Sequence, residues 1–232
     1  MKERSKPSDL EQELAHYKLL PLFPEPLRAH LTFCNFGEGD LICSQGEMPA
    51  YLYVLVKGKI KVYTTSEEGN TLILSFLTPI EVIGDIEYIQ GIPIMNTVEA
   101  VTPVRMIRVP FRSVNEFGRD HAPLLRFLLK IIAEKFQRKS SSLSFNLLHS
   151  VEARLASYLL SVCYDKNDVQ FEGHVSLASL KDTANLIGTS YRHLNRVLKK
   201  LSAEGLIKRD KGFLQILDRE GLRLVAGDNM YE

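Results

Sequence analysis

VSLASLKDTANLIGTSYRHLNRVLKKLSAEGLIKRDKGFLQIL, residues Val175–Leu217, is the stretch whose reading decides the fold. Leu177, Leu180, Ala184 and Ile187 recur at helical spacing, and Ser179 stands where a hydroxyl caps a helix start. Gly188 is free to take positive φ, and Thr189-Ser190 offers a hydroxyl N-cap to a second helix beginning at Tyr191. In that helix Leu194, Val197, Leu198 and Leu201 share one face, with Arg192, Asn195, Arg196 and Lys199 on the other. Two helices joined by so short a turn predict a helix-turn-helix.

The donors on the second helix are those a DNA major groove selects. Arginine can form two hydrogen bonds to guanine and asparagine two to adenine, with residues near the helix N-terminus reaching deepest. Tyr191, Arg192, Asn195 and Arg196 are therefore expected to contact bases. Ser179, Lys181, Thr189, Ser190 and His193, at the two helix starts, and Lys199 suit phosphate oxygens. After Gly205, LIKRDKGFLQIL reads as a hairpin with Lys208, Arg209 and Lys211 at or near its tip, a basic wing. Between Val175 and Lys211, eight Lys and Arg face three acids, a surplus of five, whereas the whole 232-residue chain carries a formal +1. Positive charge is thus local, as binding of double-stranded DNA requires. The competing reading is a ligand-sensing module whose winged helix docks a protein; salt-dependent DNA affinity separates the two.

Upstream, Leu10–Leu20 reads as a short helix. Leu31–Val109 breaks into β-branched and aromatic runs, LTFCNF, YLYVLV, KIKVYTT, TLILSFL and TPVRMIRVP, separated by turn residues such as Glu68-Gly69-Asn70. Many short strands predict a sandwich or jelly roll. From Phe111 the pattern turns helical, and Leu124, Leu125, Leu128, Ile131, Ile132 and Phe136 form an apolar stripe. Its partner is either the β-domain or the same helix of a second subunit. A Ser-rich patch at Lys139–Ser142 is expected to interrupt or bend the helix before another segment, Val151–Cys163, and a connection at Asp165–Gly173.

Other classes are disfavoured. The charged N-terminus has no apolar signal region, and no apolar run reaches membrane length, so a cytoplasmic protein without membrane contact is expected. Cys34, Cys43 and Cys163 are too few and scattered for a disulfide framework and are expected as buried free thiols. His16, His30, His121, His149, His174 and His193 are dispersed, and the chain shows no nucleophile motif or phosphate-cradling glycine loop. No metal, cofactor or enzymatic activity is expected.

Two segments carry a family resemblance. LIGTSYRHLNRVLKKL resembles the recognition motif of the Crp/Fnr family, and FGEGDLICSQGEMPAYLYVLVKGKIKVYTTSEEGNTLILSFL resembles its effector-domain β-roll; SYRHL is closest to the YeiL-like branch. The resemblance implies an α+β chain: a β-roll or jelly-roll sensor domain over residues 1–119, a long dimerisation helix over 120–148 and a winged helix-turn-helix over 149–232. It also implies a homodimeric transcription regulator, joined through the Ala122–Leu148 helix with Leu124, Leu125, Leu128, Ile131, Ile132 and Phe136 at the interface. Each subunit would read half of a palindromic operator, with half-sites about 34 Å apart. RNA polymerase becomes a partner if the protein activates.

The sensor segment departs from relatives that bind cyclic nucleotides. VIGDIEYIQGIPIMNTVEAV keeps Gly84-Asp85, but Ile94 and Met95 stand where a phosphate-binding Arg and a Ser are expected. Without that Arg a cyclic phosphate loses its charge-assisted partner, and Asp85 and Glu87 would repel it if they faced the pocket. Gly84, Asp85, Ile86, Glu87, Ile94 and Met95 are thus expected to line an effector pocket that takes no cyclic nucleotide, its small-molecule effector unnamed. In LTPIEVIGD, Ile80-Glu81 replaces the usual Gly-Asp, so that turn must differ. The clustered cysteines of oxygen-sensing members are missing too.

Overall fold

The short β-branched runs fold into two four-stranded antiparallel sheets, ordered β1-β8-β3-β6 and β2-β7-β4-β5. The strands are β1 (Thr32–Phe36), β2 (Leu41–Cys43), β3 (Tyr51–Lys57), β4 (Ile60–Thr65), β5 (Thr71–Leu77), β6 (Glu81–Ile83), β7 (Thr97–Ala100) and β8 (Val104–Pro110). This is a computed structural model describing residues 7–69, 71–162, 174–176, 180–210 and 212–227. Asn70, Cys163, Leu177, Ser179, Lys211 and the 165–173 connection lie outside the described residues. The chain divides into two units, Met1–Lys135 and Phe136–Glu232.

In the first unit each face of the β1-β8-β3-β6 sheet is covered. Leu55, Met106 and Val104 meet Ile60 and Val98 of the second sheet. Leu52, Val54, Ile107 and Val109 face Leu14 of α1 (Pro7–His16), Leu27 of α2 (Glu25–Arg28) and Phe23 between them. Burial on both faces explains why YLYVLV reads as a nearly continuous apolar run rather than an alternating one. After β8, α4 (Phe111–Ser113) and a π-helical turn (Val114–Gly118) lead into α5 (Ala122–Leu148).

The first turns of α5 settle half of an open question. Leu124, Leu128 and Ile131 are buried in the same core as Val54 and Ile107, so the β-domain of their own chain covers them. This corrects their assignment to a surface free for a second subunit: the helical period turns these three inward and leaves Leu125, Leu129 and Phe136 exposed, with Ile132 half-buried. The Ser-rich patch does not break the helix either, since α5 is continuous over 27 residues. Lys139–Ser142 contains no Gly or Pro, and a serine facing solvent costs a helix little.

In the first unit β2, β6, β7, α2 and α3 (Asp85–Gln90) were not legible in advance; the three strands are only three or four residues long. At Ile80 the chain takes no positive φ, and the Pro79–Ile80 peptide is cis.

The second unit contains α6 (Val151–Val162), β9 (His174–Ser176), α7 (Leu180–Leu186), α8 (Tyr191–Ala203), β10 (Ile207–Asp210), β11 (Phe213–Ile216) and α9 (Arg219–Ala226). Leu155, Leu159, Ile187, Leu194, Leu201, Leu214 and Leu222 form its core, drawn from every helix and the sheet. The strands pair in the order β10-β11-β9.

Candidate nucleic-acid interface

The turn between α7 and α8 is built by local chemistry. Leu180, Ala184 and Ile187 bury the inner face of α7. Gly188 then takes φ +64°, and the Thr189 N–H donates back to the Ala184 carbonyl at 2.9 Å, closing the helix end. Ser190, extended at φ −76° and ψ 147°, accepts the His193 N–H on its Oγ, the N-cap read from sequence.

From that cap α8 runs with Leu194, Val197, Leu198 and Leu201 buried and Arg192, Arg196 and Lys199 exposed on the far side. Ser190 and Tyr191 open the same exposed surface, while Thr189 and His193 are half-buried beside it. Lys181 is exposed at the start of α7, and Lys208 and Arg209 are exposed on β10. Lys181, Arg192, Arg196, Lys199 and Lys208 form no ion pair among the described residues.

Two expected donors are otherwise engaged. Asn195 Nδ2 donates to the Tyr191 carbonyl at 2.9 Å, and its Oδ1 accepts from Arg209 Nη1 at 3.4 Å. Asn195 thus ties the helix to the wing, and reading a base would require it to release these bonds. Lys200, counted in the local surplus, turns instead to Glu152 of α6 at 2.7 Å; that hydrogen bond raises its pKa, with Glu204 4.0 Å away.

One residue of this region escaped the sequence reading. Arg154 of α6 is buried, and its Nη1 donates to the carbonyls of Ile187 at 2.6 Å and Gly188 at 3.5 Å, at the end of α7. A partial signal was present: VEARLASYLL is mostly apolar, and an Arg buried within such a helix must find partners.

In the first unit a cavity of about 200 Å³ opens beside Cys43, Glu47, Tyr51, Tyr53, Gly84 and Ile94, and its lining includes no Lys or Arg. Of the expected pocket residues, Gly84 and Ile94 line it. Asp85 instead accepts from Lys135 Nζ of α5 at 2.9 Å on both oxygens, with Glu81 3.8 Å from the same ammonium. Glu87 accepts the Met95 N–H at 3.1 Å; Ile86 is half-buried, and the Met95 side chain is exposed. Burial pushes the Cys43 thiol up to about 12, helped by the carboxylates of Glu87 and Glu47. Among the described residues no cluster of His, Cys, Asp or Glu could hold a metal ion, and no helix is long and apolar enough to cross a membrane.

Comparison with known proteins matches residues 33–121 to the cyclic nucleotide-binding domain family and residues 153–225 to the Crp-like helix-turn-helix domain. The chain is 28% identical over 193 residues to the regulatory protein YeiL of Escherichia coli O157:H7, covering 83% of this chain and 84% of that one. It is 22% identical over 199 residues to a CRP-like cAMP-activated global transcriptional regulator of Mycobacterium tuberculosis, covering 84% and 88%. Among solved structures, a CRP/FNR-family transcriptional regulator from Thermus thermophilus superposes with TM-score 0.70 at 25% identity, covering 84% of this chain and 98% of that one.

Proposed function

The chain belongs to the Crp/Fnr family of transcription regulators and carries its DNA-binding helix-turn-helix, and from that premise we propose that it reads a palindromic operator as a homodimer without cyclic-nucleotide control. The observation that carries the reading is α8, whose apolar face is consumed by its own core while Arg192, Arg196 and Lys199 stand exposed without ionic partners among the described residues. A helix anchored on one side and presenting unpaired donors on the other is equipped to enter a major groove.

Dimerisation rests on the exposed apolar residues of α5. Leu125, Leu129, Phe136, Leu143 and Leu147 remain uncovered, Phe136 at 75% exposure, and a second copy related by a two-fold axis buries such a face by self-complementary packing. The division into a sensor domain over 1–119, a dimerisation helix over 120–148 and a DNA-binding domain over 149–232 follows from that role. The protein works in the cytoplasm, has no enzymatic activity and meets RNA polymerase if it activates.

Rejection of cyclic nucleotides rests on charge. The cavity lining offers Glu47 and no cation, and Lys135 of α5 is already held by Asp85. A cyclic phosphate there would be desolvated with no charge-assisted partner.

The test of DNA reading is affinity for a preferred duplex, measured for wild type, Arg192→Ala and Arg196→Ala. A base contact predicts a loss of about 1–3 kcal/mol with relaxed preference at one position. Unchanged affinity in both variants would contradict recognition through α8 and favour protein docking.

A further inference from the structure

Arg154 poses a charge problem. It is 9% exposed and lies within eight consecutive buried residues, Ala153–Leu160. Its Nε is buried without a partner, and among the described residues it forms no ion pair. The Ile187 and Gly188 carbonyls satisfy part of its hydrogen-bonding capacity but supply no formal negative charge. Removing one partner from a buried charge is costly, and a buried cation normally finds a counter-charge. The free protein shows none among its described residues.

The turn that this cation holds leads into a set of donors awaiting an anion. Gly188 is close enough that a Cβ built on it would stand 3.3 Å from Arg154 Nη1. Three residues further on, α8 starts, a helix of 13 residues. His193 N–H is taken by Ser190 Oγ and Leu194 N–H by the Ser190 carbonyl, whereas the N–H groups of Ser190, Tyr191 and Arg192 have no acceptor among the described residues. Unused amides at a helix start favour an anion, and a buried guanidinium behind them strengthens that preference through a low-dielectric interior.

We propose that Arg154 is a positioning residue for DNA-backbone recognition: it clamps the turn after α7 through two carbonyls, and its uncompensated charge is complemented by a DNA phosphate received on the Ser190, Tyr191 and Arg192 amides. The proposal rests on the DNA-reading function above. Arg154 does not touch the phosphate; it acts through the turn it holds and through its field. Because the contact is to backbone, it strengthens binding to every sequence alike.

The experiment uses the full chain with Arg154→Gln and Arg154→Lys, measuring melting without DNA and affinity for a preferred and an unrelated duplex across salt concentrations. Gln keeps an N–H for the Ile187 carbonyl but no charge, and its affinity falls about ten-fold on both duplexes, the scale of one interior charge interaction. The salt slope falls by at most about one, since the Arg154 charge complements a single phosphate. Lys restores the charge and most of the affinity. If the Gln variant fails to fold, Arg154→His replaces it, and its affinity relative to wild type must then rise as pH falls through the imidazole range. Equal losses for Gln and Lys, a pH-independent His variant, or variants binding like wild type would each overturn the proposal. If wild type binds no duplex at all, the regulatory reading fails and this one with it.

Discussion

Cys34 and Cys43 show how a residue's surroundings decide its chemistry. Both sit on strands against the inter-sheet core, and Cys34 Sγ lies 3.6 Å from the Met106 carbonyl. Desolvation raises the Cys34 thiol to about 11, opposed by Arg108, and the Cys43 thiol to about 12. Only a thiolate attacks, so neither is poised as a redox switch. Free thiols ionise near about 8.5 in an unfolded chain, so the unfolded state loses these protons first. The stability contribution is therefore intact below that pH and is lost as pH rises toward about 11 to 12. Iodoacetamide at neutral pH should label both cysteines far more slowly in the folded protein than in urea; equal rates would show that the thiols are accessible and acidic. The expectation of buried free thiols, drawn from apolar neighbours in sequence, is met in part: Cys34 and Cys43 are free but half-buried, and Cys163 lies outside the described residues. The Asn195–Arg209 bond was hidden because it joins residues 14 apart through a turn whose geometry no local pattern specifies.

At the scale of elements, the polar link between β6, α3 and α5 runs through one ammonium, beside their shared apolar core. Lys135 Nζ holds Asp85 on both oxygens and also donates to the Val82 carbonyl, with Glu81 in ionic range; both carboxylate side chains are 3% exposed. Lys135→Met would take from the buried Asp85 the ammonium that it holds on both oxygens, a loss of about 3–5 kcal/mol, the range for breaking a buried pair. Denaturant unfolding checks this, and Asp85→Asn in the same background should recover part of the loss. A variant as stable as wild type would mean that water already screens the cluster. Periodicity made α5 and α8 legible, because a long helix writes its buried face into the chain at every third or fourth residue. It could not say which neighbour covers that face, so Leu124, Leu128 and Ile131 were placed with Leu125 and Phe136 although the β-domain takes the first three. β6 carries Glu81 in a three-residue strand, too short for any alternation to register, and its carboxylate lies in ionic range of a lysine 54 residues away.

For the whole molecule, a net charge of +1 supplies no general attraction to a polyanion, so under the proposed function DNA affinity must come from the exposed cations of the second unit, doubled across the two-fold axis of the proposed homodimer. In the proposed homodimer, the apolar residues of α5 that one chain leaves uncovered would be buried against the second copy. The family and its two domains could be read from sequence because both matched segments contain their own turns and strands. The operator could not, since base preference depends on side-chain conformations at the groove. The most direct measurement is selection from random duplex DNA with the purified protein, with and without added cyclic AMP. The account predicts one palindrome, its half-sites about 34 Å apart, recovered equally under both conditions. No enriched site, an unpaired half-site, or a palindrome that emerges only with cyclic AMP would contradict it.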